Sequence, residues 1–287
     1  MKPCQACGSA DLKPRFAREG WHFERCHQCG LERIEPQPND AALSQIYGQA
    51  YYDAWGMDRN EAIARSVKLA TFRNLLKPLR TLPAGAVVFD CGAATGYLLE
   101  VAQEMGLAAA GNEISEFGAS KLAARFGSER VFQGSFMDLD VSRLNALGSQ
   151  AVTMCDFLEH MRDPAASLER AAGMLPQGGL LCITTPDTST LSHTLMGASW
   201  LHYKTEHLFY FNPGNLLLLL DAAGFDVLQL SRCWKRMSLA YVAAQMRAYP
   251  RRLVSCWFRF WNAVLPGVRS VLWPVTFGEM MLWAKKR

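Results

Sequence analysis

Apolar and polar positions change their period along this chain. Between residues 86 and 186, short runs of small and branched apolar residues (AVVFDC, LAAAGNE, RVFQG, QAVTMCD, GLLCITTP) alternate with longer stretches (GYLLEVAQEM, SEFGASKLAARF, DPAASLERAAGML). The short runs have the near-continuous apolarity of strands buried on both faces, and in the longer ones apolar residues recur every three or four positions, as on an amphipathic helix. This alternation predicts a doubly wound α/β fold of the Rossmann-like kind, with ligands at the carboxyl ends of a parallel sheet. Upstream, PQPNDAALSQIYGQAYYDAW reads as a proline-marked linker and a helix starting near Asn39 or Asp40, either a good N-cap. A second helix is expected from about Glu61 to Leu76.

With 287 residues, 50% hydrophobic and 20% charged, the chain can bury one substantial core and carry a small appendage. The opening residues MKPCQACGSA lack the apolar stretch of an export signal, and no run of about 18 apolar residues is present to span a bilayer. A soluble, cytoplasmic protein is therefore expected. The nine cysteines are an odd number, and four are paired as CQAC (Cys4, Cys7) and CHQC (Cys26, Cys29). Each knuckle aims two thiolates at one point, and the following glycine, Gly8 or Gly30, lets the backbone turn beneath them. Two such knuckles predict a closed tetrahedral zinc site that holds residues 1–35 together as a ribbon. A redox dithiol would need an adjoining βαβ pattern that these residues lack. The expected organisation is a ribbon over 1–35, a linker with helices over 36–80, and the main α/β domain over 81–287.

The net charge of +4 conceals an asymmetry: from Arg232 onward there are eleven Lys or Arg residues against Glu279, while the preceding part carries 19 basic and 25 acidic residues. Five of the eight tryptophans lie in that same C-terminal segment. A helical insertion is expected over 236–270, and within it PRRLVSCWFRFWNAVLP (250–266) patterns as an amphipathic helix. Arg252, Ser255, Arg259 and Asn262 form its polar stripe. It is too short to span a bilayer, so it suits either peripheral contact at the inner face of a membrane or packing, on the domain or in a homodimer.

The loop in VVFDCGAATGYLL (87–99) departs from a dinucleotide fingerprint: Gly92, Ala94 and Gly96 follow an acid, Asp90, at the strand end. An anionic side chain there favours a ligand bearing positive charge. At the end of the next strand, Glu113 can accept hydrogen bonds from both ribose hydroxyls.

These residues resemble motif I and the ribose-binding acid of class I S-adenosylmethionine (SAM)-dependent methyltransferases. The resemblance extends to CDFLEHMRDPAASLERAAGMLPQGGLLCITTPD (155–187), EHLFYFNPGNLLLLLDAAGFDV (206–227) and GEMMLWAKK, the segments around strands 4 to 7 in the ubiquinone-biosynthesis and natural-product branch. It implies a seven-stranded sheet whose last strand is antiparallel. Asp90, Gly92, Ala94 and Gly96 would shape the methionine pocket, Glu113 would hold the ribose, Ser135 and Phe136 would flank the adenine, and Asp156 would stand nearby. Ala94 replaces the commonest middle glycine. The alternative for Asp90 is that it only caps the following helix, and for Glu113 that it is merely solvated.

Methyl transfer is an in-line displacement served chiefly by positioning, and a hydroxyl acceptor also calls for a base. His160, His202 and His207 are the candidates, with His202 the more substrate-facing and His207 equally suited to bracing its loop. In ubiquinone-type relatives the DFLEH spacing binds a divalent ion, which makes Asp156, Glu159 and His160 a candidate magnesium site. Otherwise Glu159 and His160 cap and pack the next turn. The expected acceptor is a small molecule, a sugar or a lipid-linked compound, methylated on oxygen. An RNA methyltransferase is disfavoured because the ribbon carries six basic and five acidic residues, no footprint for phosphates. A non-catalytic SAM-binding module is the remaining alternative.

Overall fold

The computed structural model describes residues 2–46, 61–242 and 270–287. The chain opens with β1 (Leu12–Arg18), β2 (Trp21–Cys26) and β3 (Glu32–Ile34), paired antiparallel in that order. Glu19 and Gly20 between β1 and β2 both have positive φ, 53° and 83°, which suits a tight hairpin with right-handed twist. The helix α1 (Asp40–Ile46) follows, its first turn capped by Asn39 Oδ1, which accepts from the Ala42 N–H at 2.9 Å. Next, α2 (Glu61–Leu75) buries Ala64, Val67, Leu69 and Leu75.

The periodic region then folds as its pattern predicts. Strands β4 (Val87–Cys91), β5 (Ala108–Glu113), β6 (Val131–Gln133), β7 (Ser149–Cys155) and β8 (Leu180–Pro186) are parallel. The intervening helices are α3 (Tyr97–Glu104), α4 (Glu116–Phe126), α5 (Val141–Ala146) and α6 (Pro164–Met174). After β8 come α7 (Leu191–Met196), the two-residue strand β9 (Phe209–Tyr210) and α8 (Pro213–Ala222). The chain ends with β10 (Phe225–Arg232), β11 (Lys235–Met237), β12 (Trp273–Val275) and β13 (Glu279–Lys286). The central sheet has the order β10-β13-β8-β7-β4-β5-β6, with β13 antiparallel to both neighbours.

Successive side chains in the buried strands serve opposite faces. Phe89, Val152 and Ile183 join the core with Leu168 of α6 and Leu216 of α8; Val88, Ala151 and Cys182 join the core with Leu69 of α2 and Leu98 of α3. The register brings the strand ends into line. Asp90 pairs with Thr153, Cys155 with Thr184, and Glu279, at the start of the antiparallel β13, with Pro186. One edge of the sheet therefore gathers Asp90, Asp156 and Glu279 from neighbouring strands.

The N-terminal strands, in the segment expected to form a ribbon, are joined to this domain by a shared sheet. Strand β3 pairs antiparallel with β9, Glu32 opposite Tyr210 and Arg33 opposite Phe209. Glu32 is wholly buried and forms an ion pair with Arg15. Its Oε2 accepts from the Tyr203 hydroxyl at 2.5 Å, and that hydroxyl lies 2.9 Å from His193 Nε2. Burial alone would raise the Glu32 carboxyl, but hydrogen bonding to His193 and Tyr203 and the charge of Arg15 hold it below the usual range. The carbonyl of Cys29 accepts from Asn212 and Asn215, the residues of the α8 capping box, at 3.0 and 3.4 Å. The ribbon thus braces the whole connection from β8 to α8.

The amphipathic segment expected over 250–266 lies outside the described residues. The described ends of the insertion pair as β11 and β12, with Lys235 opposite Val275. Among the described residues no helix is long and apolar enough to cross a membrane.

Removing the Glu32 carboxylate would take the counter-ion from Arg15 and one acceptor from the Tyr203 hydroxyl. Glu32→Ala is expected to cost about 3 kcal/mol of stability in urea denaturation; a loss under about 1 kcal/mol would contradict this role. Because the folded carboxyl titrates below its unfolded value, this stabilisation is present above the unfolded pKa and disappears as acidification passes the folded one.

Candidate functional site

Strand β4 ends in Asp90, which is 4% exposed. Its Oδ1 accepts from the Thr153 hydroxyl at 2.5 Å, the residue opposite in β7. Burial, opposed by that hydrogen bond and reinforced by the charge of Glu113, pushes the Asp90 carboxyl up to about 7. Among the described residues no cation is one of the groups that shift it. A helix-capping role for Asp90 is not what the structure shows, since α3 begins at Gly96 with no side-chain cap. The first N–H groups of α3 are therefore available to an anionic ligand group.

The loop between β4 and α3 is shaped by left-handed residues. Gly92 and Gly96 have φ of 69° and 82°, and a Cβ on Gly96 would come within 2.7 Å of Leu122. Ala94 adopts φ 50°, a conformation that costs a residue with a side chain about 1 kcal/mol. Its N–H donates to Glu113 Oε2 at 2.9 Å, offsetting part of that cost. Glu113 Oε1 accepts from the Ser115 N–H, also at 2.9 Å. Glu113 is thus buried and clamped to the loop, not simply solvated.

On the adenine side, Ser135 Oγ accepts from the Met137 N–H at 3.3 Å and caps a short helical turn. Phe136 differs from the expectation of a flanking ring: it is 1% exposed and packs among Phe89 and Phe157. Phe157, which sequence reasoning missed, lies against the loop at Gly92, where a Cβ would come within 2.8 Å of its ring.

A cavity of about 390 Å³ opens on the other side of the loop. It is lined by Asp90, Gly92 to Thr95 and Tyr97 from the loop side, by Asp156, Glu159 and His160 after β7, and by His202, Lys204 and His207 from the β8–β9 connection. Lys68 of α2, Lys235 of β11 and Glu279 of β13 complete the wall. All three candidate histidines thus reach one space. The Nε2–H of His202 donates to the Phe277 carbonyl at 2.8 Å, which leaves Nδ1 as its basic nitrogen. His160 and His207 stand edge to face, 4.7 Å between centroids. Burial is the main cause that lowers all three imidazoles, His160 to about 4, with the charge of Lys204 adding to the effect on each. The same burial and the nearby ammonium disfavour the protonated form of each ring.

The metal-ligand set expected from DFLEH is corrected by the geometry. The ligand atoms that lie within 4.8 Å of one another belong to Glu159, His160 and His207. Asp156 is engaged elsewhere: its Oδ2 accepts from Lys235 Nζ at 2.9 Å and its Oδ1 from the Thr184 hydroxyl at 3.1 Å. Asp156 itself has a left-handed backbone, φ 52°, just before the helical turn that carries Glu159 and His160. Burial and the charges of Asp156 and Glu279 push Glu159 up to about 8, against the Thr185 hydroxyl, which donates to it at 3.0 Å. Two imidazoles and one such carboxyl do not match the oxygen donors that magnesium prefers.

In the ribbon, Cys4 and Cys29 have sulfurs 3.5 Å apart, Cys7 and Cys26 3.6 Å apart, and all four lie within 4.8 Å of one another. Those separations are close to the edge of a tetrahedron with metal–sulfur bonds of about 2.3 Å.

Comparison with known proteins agrees with this geometry. Residues 49–230 match the family model described as a methyltransferase domain. A ubiquinone biosynthesis O-methyltransferase of Xanthomonas axonopodis pv. citri is 29% identical over a match that covers 53% of this chain and 67% of that protein. Among solved structures, a 1,6-didemethyltoxoflavin-N1-methyltransferase of Burkholderia thailandensis, with its substrate and S-adenosylhomocysteine bound, superposes with a TM-score of 0.52 at 16% identity. That match covers 96% of this chain and 99% of the other. A SAM-dependent methyltransferase of Archaeoglobus fulgidus gives 0.50 at 17% identity over 80% of this chain and all of its own. The family match spans more than half of the chain and falls on the strands that build the Asp90 edge, so the chain belongs to the methyltransferase-domain family and is a SAM-dependent enzyme of the class I fold.

Proposed function

We propose that the protein transfers a methyl group to an oxygen of a small acceptor held in the cavity beside Asp90. The observation that carries this reading is one space bounded both by a buried carboxylate that no cation among the described residues shifts and by three imidazoles whose burial disfavours the protonated form. SAM fits the first part: its cationic end compensates Asp90, its carboxylate meets the free N–H groups of α3, and its ribose reaches Glu113. Bound there, it supplies a methyl group on a positively charged sulfur, which an acceptor lone pair displaces as the carbon–sulfur electron pair returns to sulfur. Ser135 and the Phe136–Phe157 pair are the adenine-side groups of this reading, and Phe157 must yield room to the base.

His202 is assigned the acceptor's proton, since its Nε2–H is fixed on Phe277 and Nδ1 remains basic. His160 and His207 back it from the opposite wall. No step is routed through a divalent ion, because Asp156 is paired with an ammonium and the nearby donors are not those of a magnesium site. Leu201 and Phe277 line the cavity while about half exposed, so an acceptor with an apolar body, free or lipid-linked, suits its mouth. The 29% identical O-methyltransferase supports oxygen as the target. An RNA acceptor is disfavoured by the nearly balanced charge of the ribbon.

The four ribbon cysteines are assigned to one structural zinc. With four protein ligands the ion has no open position, so it stabilises the brace on the β8–α8 connection without entering the reaction.

Calorimetry with S-adenosylhomocysteine tests the donor site. Asp90→Ala and Glu113→Ala are each expected to weaken binding at least about tenfold, the loss of one charge-assisted hydrogen bond; unchanged affinity in both would move the site elsewhere. Metal analysis tests the ribbon. One zinc per chain is expected in protein purified without chelator, and Cys4→Ser with Cys26→Ser should abolish it; zinc retained by that double variant would overturn the assignment.

A further inference from the structure

Lys235 lies outside every motif so far considered, just after β10 and near the start of the basic C-terminal segment. Strand β11 delivers it to the cavity wall, anchored by the Arg236 N–H, which donates to Thr71 of α2 at 2.8 Å. Its Nζ donates to Asp156 Oδ2 at 2.9 Å and to Glu279 Oε1 at 2.6 Å. The two carboxylates come from opposite sequence ends of the site and are brought together by the β8 register, with Asp156 N donating to the Thr184 carbonyl and Glu279 pairing with Pro186. Lys235 is mostly buried, its side chain 18% exposed, and it faces the cavity beside His202 and Lys68.

We propose that the Lys235 ammonium is the resident cation of the acceptor site. It fills, between Asp156 and Glu279, the place a divalent ion would otherwise take, and offers its remaining N–H to the acceptor oxygen. The inference rests on the proposed oxygen acceptor and adds a specificity-determining residue to it.

Three features support the assignment. An ammonium has three donors, and two are taken by the carboxylates. Removing its proton would leave two carboxylates converging on a neutral amine in a partly buried wall, so the charge is held there. Lastly, a fixed positive charge at the acceptor oxygen favours the oxyanion that develops as the proton passes to a neighbouring imidazole, which is the electrostatic service a metal ion renders in other sites. An ion approaching Asp156 would meet Lys235 first and be repelled.

The test uses the full-length, zinc-loaded protein with S-adenosylhomocysteine, titrated with Mn²⁺ and read by electron paramagnetic resonance. Wild type is expected to show no Mn²⁺ binding that depends on Asp156. Lys235→Ala and Lys235→Met, which empty the position between the two acids, should each bind Mn²⁺ at least tenfold tighter, and adding Asp156→Asn should remove the gain. Binding at Glu159, His160 and His207 would be unaffected by Asp156→Asn and is thereby distinguished. Mn²⁺ binding by wild type that is lost in Asp156→Asn, or no gain in either lysine variant, overturns the proposal. A second readout follows 4-nitrophenol, whose absorbance reports its ionised form. Wild type should hold the phenolate at least tenfold tighter than Lys235→Met, and equal binding by the two would also overturn it. Because S-adenosylhomocysteine binding is measured separately, failure here leaves the donor site standing.

Discussion

Carboxylates converge on the carboxyl edge of a buried sheet, and much of the site follows from keeping their charges apart. Asp90, Glu113, Asp156, Glu159 and Glu279 all lie there, and each ionised carboxylate left unpaired in such surroundings costs several kcal/mol. The chain resolves them differently. Glu113 accepts two backbone N–H groups, and Asp156 and Glu279 share Lys235. Glu159 is left with a threonine hydroxyl and rises to about 8, so it holds its proton. Only Asp90 is left poised near neutrality, with a hydroxyl on one side and the ligand cavity on the other. Its unresolved charge makes the edge receptive to a cationic ligand.

The same economy explains the ribbon's position. The connection from β8 to α8 carries His202 and His207 to the cavity, yet between α7 and α8 its only strand is the two-residue β9. A connection of that kind would fluctuate if left on the surface. Pairing β9 with β3, and burying Glu32 against Tyr203 and His193, lends it the rigidity of a sheet. The knuckle at Cys29 reaches the α8 capping box through Asn212 and Asn215. The cysteine cluster is thus tied, through backbone and side-chain hydrogen bonds, to the connection that lines the cavity.

Much of this was legible in the sequence because it depends on local pattern. The near-continuous apolar runs marked the five parallel strands, the period-3.6 runs marked α3, α4 and α6, and Asp90 and Glu113 stood out as acids at strand ends. The paired knuckles announced Cys4, Cys7, Cys26 and Cys29 as a group. What escaped depends on long-range register. Lys235 is one of eleven basic residues in its segment, and its tie to Asp156, 79 positions away, follows only from the placement of β11 against α2 and β13 against β8. The DFLEH spacing suggested Asp156, Glu159 and His160 as ligands, but Asp156 is engaged by Lys235 and Thr184, and His207, 47 residues after His160, completes the cluster instead.

The account turns on Asp90 meeting a cation only when ligand is bound, and proton linkage tests that most directly. In the free protein a carboxyl near 7 is about half protonated at pH 7; pairing with the ligand's ammonium lowers it, so binding must expel the proton. Calorimetry of S-adenosylhomocysteine binding at pH 7, repeated in buffers of different ionisation enthalpy, should therefore show release of about half a proton per site, and Asp90→Asn should release none. Heats independent of the buffer in wild type, or the same release from Asp90→Asn, would contradict the account.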